Sequence, residues 1–189
     1  MVSARDVVRD LMVLDSAVYA AVAATETPAL DRGLRRLSSA ADHSKLSLAA
    51  AGLLALRPGR TRRAAVLGVF AVGLASAGAN LVVKQLIRRP RPDRLATASS
   101  AERHVRMPSS PSLPSGHTAA AVAFAAVTGS ALPALAFPLG TLACAVGYSR
   151  VHTGVHYPGD VAAGALIGIA SAAAVTAGAN HWAPRPPCR

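Results

Sequence analysis

Four stretches of the chain run apolar without an interior charge: residues 46–56, 64–83, 117–147 and 161–180. A helix needs about 20 predominantly apolar residues to cross the hydrocarbon core of a bilayer. The first stretch is short alone and reaches that length only if residues 37–41 extend it, with Asp42, His43 and Lys45 facing protein or the interface. The third is long enough for two helices, because Gly129, Ser130 and Pro133 supply turn chemistry in its middle. The pattern predicts five spanning helices.

Ahead of them, residues 5–24 and 28–38 have the mixed character of helices that lie along an interface. In the second, Thr27 is placed to cap and Pro28 to occupy the first helical position. Leu30, Leu34 and Leu37 share a face opposite Arg32, Arg35 and Arg36. Residues 88–114, rich in Arg, Pro and Ser, read as a loop between spans. The first ten residues hold Arg5, Asp6, Arg9 and Asp10, and Asp15 interrupts the apolar run that follows. No cleavable signal peptide is expected. The fold class is all-α, an integral-membrane helical bundle in one domain over 1–189. Residues 1–44 form the interfacial part, 45–180 the transmembrane core and 181–189 a tail.

Composition sharpens this picture in two ways. Hydrophobic residues make up 52% of the chain but aromatics only 4%, so Ala, Val, Leu and Gly carry the apolar content, as suits helices packed closely through small residues in lipid. The net charge of +11 is almost all arginine, a surplus that fits an anionic lipid, a phosphorylated substrate or nucleic acid. Cys144 lies in an apolar stretch and Cys188 next to the C-terminus, so a disulfide framework or a cysteine zinc site is not expected. Tyr148, Tyr157 and Trp182 stand near helix ends, as interfacial aromatics do.

The helix path places three polar clusters on one membrane face. They read Lys84-Gln-Leu-Ile-Arg-Arg-Pro-Arg91-Pro92, then Pro114-Ser115-Gly116-His117, then Ser149-Arg150-Val-His152-Thr-Gly-Val-His156-Tyr-Pro-Gly-Asp160. Phosphoryl transfer spreads charge over three equatorial oxygens, and its catalysis rests on placed cations and donors. Lys84, Arg91 and Arg150 are the candidate cations, and Ser115 and Gly116, at a helix start, the candidate backbone donors. His156 is the candidate nucleophile, with Asp160 to hold its other ring nitrogen. His117 remains to protonate the leaving oxygen. Each cluster alone has a plainer account, since basic residues at a helix end commonly anchor a span among headgroups. His152 and His156 are four apart, but Gly154 intervenes and no Glu follows, so metal ligation is not expected. His152 either lines the pocket or holds the loop. Asp15, His43, His104 and His181 lie outside any motif and are expected to be solvated.

Together the clusters resemble the K-x6-R-P, P-S-G-H and S-R-x5-H-x3-D signature of the type 2 phosphatidic acid phosphatase superfamily, matched without a gap over residues 84–160. That resemblance implies a lipid phosphatase working through a phosphohistidine, with no metal and no cofactor, and with the roles named above. Residues 30–44 and 148–160 also resemble the short actinobacterial branch, which implies decaprenylphosphoryl-5-phosphoribose as substrate in the making of an arabinan precursor. Undecaprenyl pyrophosphate, phosphatidic acid and phosphatidylglycerophosphate are the neighbouring alternatives, since the three motifs read only phosphate and leaving oxygen. A basic membrane protein binding anionic lipid without catalysis is an alternative of another class, and a soluble vanadate haloperoxidase ranks last. The expected partners are the lipid phosphate and membrane lipids, without nucleic acid; the oligomeric state is left open. Arg57, Arg60, Arg62, Arg63, Arg185 and Arg189 fall on the far face, leaving 14 of the 20 basic residues on the motif face. The positive-inside rule then places the site toward the cytoplasm of a multi-pass cell-membrane protein.

Overall fold

The computed structural model describes residues 3–97 and 100–181, and every regular element among them is helical. Trp182, Arg185, Cys188 and Arg189 lie outside the described residues. Helix α1 (Ala4–Ala24) starts on a capping box in which Ser3 and Asp6 exchange hydrogen bonds. Helix α2 (Pro28–Ala40) has Pro28 in its first turn. Thr27 precedes it as expected but makes no side-chain cap; its hydroxyl donates to Asp31 Oδ1 at 3.0 Å instead.

The helices expected between residues 46 and 180 follow as α3 (Lys45–Ala55), α4 (Arg60–Ala77), α6 (Gly116–Ala131), α7 (Ala136–His152) and α8 (Pro158–His181). Helix α4 runs on through a π-helical stretch, Gly78–Val83, into a last turn, α5 (Lys84–Leu86). Among the described residues three stretches, Arg60–Leu86, Pro133–His152 and Pro158–His181, are long and apolar enough to cross a membrane. At 16 and 11 residues, α6 and α3 fall short of that length by themselves.

Helix α6 sits at the centre, packed by α4, α7 and α8, with α3 against α4. The core it forms is small-residue throughout: Ala71, Ala75, Ala79, Ala119, Ala123, Val127 and Ala172. Small side chains let helix backbones approach closely where lipid offers no hydrophobic drive for association. Gly168 marks a close approach of α8 on α6, since a Cβ there would lie 2.6 Å from the Ala119 carbonyl oxygen. The outward faces carry Phe70, Leu81, Phe137, Leu166 and Ile169, all exposed, as a lipid-facing surface requires.

Helix α2 meets this bundle through polar side chains. Leu30 is exposed, while Asp31 and Ser38 are buried. The inner face of α2 is polar because α7 presents polar groups to it: His152 Nε2 lies 3.0 Å from Asp31 Oδ1, and Arg150 Nη1 donates to Ser38 Oγ at 2.6 Å. Arg103, 2% exposed, joins the first of these contacts with Nε 2.9 Å from Asp31 Oδ1.

Candidate active site

Lys84 opens α5, directly after the π-helical stretch; the loop beyond carries Arg91; α6 begins at Gly116 and His117; α7 ends just past Arg150; and His156 lies in the turn before α8. Their side chains line one polar cleft of about 580 Å³. Lys84, Arg91, Arg106 and Arg150 face it, against a single carboxylate among the lining residues, Asp42.

Arg91 is held from several sides. Its Nε donates to the Ser110 carbonyl at 2.8 Å and its Nη1 to the Val155 carbonyl at 2.6 Å, and Nη1 stands 3.4 Å from His156 Nε2. Lys84, buried, reaches Ser110 Oγ at 3.4 Å, and Arg91 Nη2 reaches the same oxygen at 3.2 Å. Ser110 therefore occupies the acceptor position between two of the cations.

His156 is 1% exposed. Its Nδ1 lies 3.4 Å from Asp160 Oδ2, an ion-pair separation longer than a good hydrogen bond. Burial pushes the imidazole down from its ordinary 6.5 to about 4, with Arg91 and Arg150 adding to the shift and Asp160 opposing it. At neutral pH the ring is uncharged, and Nε2 on the Arg91 side carries a lone pair once Nδ1 holds the proton. Gly154, at φ +68°, makes the turn between Arg150 and His156. Arg94 clamps that turn by donating to the carbonyls of Thr153 at 2.7 Å and Gly154 at 3.1 Å.

His117 Nε2 is 2.8 Å from Asp42 Oδ1, and Arg150 Nη1 is 3.7 Å from the same oxygen. Asp42 belongs to a short 3-10 turn, Asp42–Ser44, where His43 (φ 55°) and Ser44 (φ 58°) both take left-handed backbone. Two non-glycine residues in that region are uncommon and costly. The turn puts the carboxylate of Asp42 and the ring of His43 on the cleft wall.

Of the eight residues expected at the site, six line the cleft: Lys84, Arg91, Gly116, His117, Arg150 and His156. Asp160 stands behind His156 and is fully buried. Ser115 is also fully buried and differently engaged: its N–H donates to the Asp160 carbonyl at 2.9 Å, and its Oγ accepts from Thr118 N–H and Oγ1. Its amide is therefore not available to the cleft, and the orphan donors of the α6 start are those of Gly116 and His117. Asp42, Ser110, Arg94, Arg89 and Asp15 were not expected there. Asp15 in particular is not solvated: it pairs with Arg89 at 2.6 Å and accepts from Gly159 N–H at 2.7 Å. The available signal was a lone acid in an otherwise apolar helical run, which normally has a buried partner. His152 holds structure rather than lining the cleft, through Asp31.

The sequence model of the PAP2 superfamily matches residues 64–183. The chain is 42% identical over 154 residues to decaprenylphosphoryl-5-phosphoribose phosphatase of Mycolicibacterium smegmatis, covering 78% of this chain and 77% of that protein. Two crystal structures share the fold at 23% identity and a TM-score of 0.72. One is Aquifex aeolicus LpxE, covering 85% of this chain and 93% of that one. The other is a transmembrane PAP2-type phosphatidylglycerolphosphate phosphatase from Bacillus subtilis, covering 94% and 90%.

Proposed function

This chain belongs to the PAP2 superfamily, and on that premise we propose that it is a membrane-embedded lipid phosphatase whose substrate is a polyprenylphosphoryl pentose phosphate, decaprenylphosphoryl-5-phosphoribose. The observation that carries the chemistry is the charge of the cleft: four cations face it with one carboxylate, beside a buried, uncharged imidazole. Such a lining favours a multiply charged anion and the charge that builds on its oxygens during phosphoryl transfer. The substrate rests on the similarity to the mycobacterial enzyme.

In the first step His156 Nε2 attacks phosphorus, forming a P–N bond as the P–O bond to the lipid alcohol breaks. His117 gives a proton to the departing oxygen; burial and Arg150 push this imidazole down from 6.5 to about 4, and Asp42 at 2.8 Å opposes them by favouring the protonated form the step uses. Asp160 faces the Nδ1 side and balances the positive charge that grows on the ring. In the second step water attacks the phosphohistidine while neutral His117 takes its proton; the P–N electrons return to Nε2 and inorganic phosphate leaves. Lys84, Arg91, Arg150 and the amides of Gly116 and His117 hold the phosphoryl oxygens. Charge neutralisation falls to these residues, so no metal is needed. The excess of basic residues on the motif face supports a cytoplasmic orientation of the cleft in a cell-membrane protein.

The experiment is phosphate release by the purified protein from a panel of lipid phosphates in detergent, with and without EDTA. Release from the phosphoribosyl lipid that persists with chelator and disappears in His156→Ala is expected. Preference for phosphatidic acid or phosphatidylglycerophosphate would remove the substrate assignment, and near-normal turnover in His156→Ala would remove the nucleophile.

A further inference from the structure

Helix α1 stands outside the three motifs, yet it is the element that reaches the carboxylate behind the nucleophile. Arg89 Nη1 is shared by two acids, 2.6 Å from Asp15 Oδ2 and 3.0 Å from Asp160 Oδ1. Asp15 is 11% exposed at its side chain and Asp160 fully buried, so little water intervenes. The guanidinium lies 4.0 Å above the Tyr157 ring, and Tyr157 N–H donates at 2.9 Å to Asp160 Oδ2, the oxygen that faces His156. The other Asp15 oxygen accepts from Gly159 N–H at 2.7 Å, in the first turn of α8. A Cβ at Gly159 would fall 2.9 Å from Asp15 Oδ2. Glycine there is what lets the acid approach.

We propose that Asp15 and Arg89 are positioning residues for Asp160, so that the N-terminal helix completes the phosphatase site from a separate element. The proposal rests on the roles given to His156 and Asp160 above. Its physical basis is charge balance. Arg89 with Asp160 alone is a neutral pair, and the carboxylate is then committed to the guanidinium. With Asp15 on the same nitrogen, the group carries one net negative charge, and Asp160 keeps its charge for the imidazole as it turns cationic on attack. The rest of α1 makes few buried contacts: Tyr19 and Ala23 pack by Val151, while Val7, Val8, Leu11, Met12 and Leu14 are exposed. Asp15 is thus the polar attachment of this helix beside the site.

The test is steady-state kinetics on a lipid phosphate monoester with Asp15→Asn, Arg89→Gln and the double variant, each checked for its melting temperature. Asp15→Asn is expected to lower kcat about tenfold with KM within about twofold, and to add no further loss in the Arg89→Gln background, because its effect passes through Arg89. Gly159→Ala, which crowds Asp15 from α8, is expected to reproduce the kcat loss, and Asp15→Glu to restore most of it. An unchanged kcat in Asp15→Asn, a loss carried by KM, or losses that multiply in the double variant would each overturn the proposal, the last by marking a purely structural pin. A wild-type protein that releases no phosphate from any lipid phosphate would instead defeat the phosphatase reading.

Discussion

His156 lies between groups with opposite demands, Arg91 at 3.4 Å from Nε2 and Asp160 at 3.4 Å from Nδ1. Burial decides the balance and leaves the ring uncharged down to about pH 4. An unfolded chain takes up that proton as the pH drops through 6.5, whereas the folded one resists until about 4, so stability is lost progressively as pH falls across this window. Melting temperature measured from pH 7 to 4 should fall, and His156→Gln should fall less steeply. If His156 is the nucleophile, as proposed, the acid limb of kcat/KM it sets is expected near 4 rather than 6.5, on the same value. On the other wall, Asp42 at 2.8 Å fixes the ring of His117. Asp42→Asn is expected to slow release from an alkyl phosphate by roughly tenfold or more, part of the 10² to 10⁴ that acid catalysis supplies. A nitrophenyl phosphate, whose leaving group needs no proton, should be far less affected; equal loss on both would separate Asp42 from the acid.

Helices α2 and α7 are joined by a buried ionic group rather than by apolar side chains: Asp31 lies 2.9 Å from Arg103 Nε and 3.0 Å from His152 Nε2. Arg103 also donates to carbonyls at the end of α1, those of Val22, Ala23 and Thr25. Removing one partner strands a buried charge, which costs about 3–5 kcal/mol. Asp31→Ala should therefore lower the melting temperature sharply, and Arg32→Ala, on the exposed side of the same helix, should not. Between α6 and α8 the constraint is volume. Gly168→Leu would place a side chain against the Ala119 carbonyl and Val122 and is expected to cost about 1–3 kcal/mol by overpacking, again read from thermal unfolding in detergent. The contacts with α7 hold α2 through its polar positions and leave Leu30 of the leucine stripe on the exposed side.

The whole molecule is a bundle whose apolar exterior meets lipid and whose cations gather in one cleft. Much of this was legible along the chain. Long uncharged runs determine helices in lipid, because backbone groups there must be satisfied within the segment, and the three motifs named Lys84, Arg91, His117, Arg150, His156 and Asp160 through residue types that phosphate chemistry requires. The alternation of spans even placed the clusters at one end. Partners brought in by other elements were not legible. Asp42 reaches His117 across 75 positions, Asp15 reaches Gly159 across 144, and Asp31 reaches His152 across 121. No local pattern encodes such pairs, since even the lone acid of α1 signals a buried partner without naming it. The sequence by itself determined which stretches are apolar and helical and which residue types the motifs bring. Only the tertiary structure decided which carboxylate stands behind which cation or imidazole, because burial and distance, which set the strength of those interactions, exist only once the helices are packed.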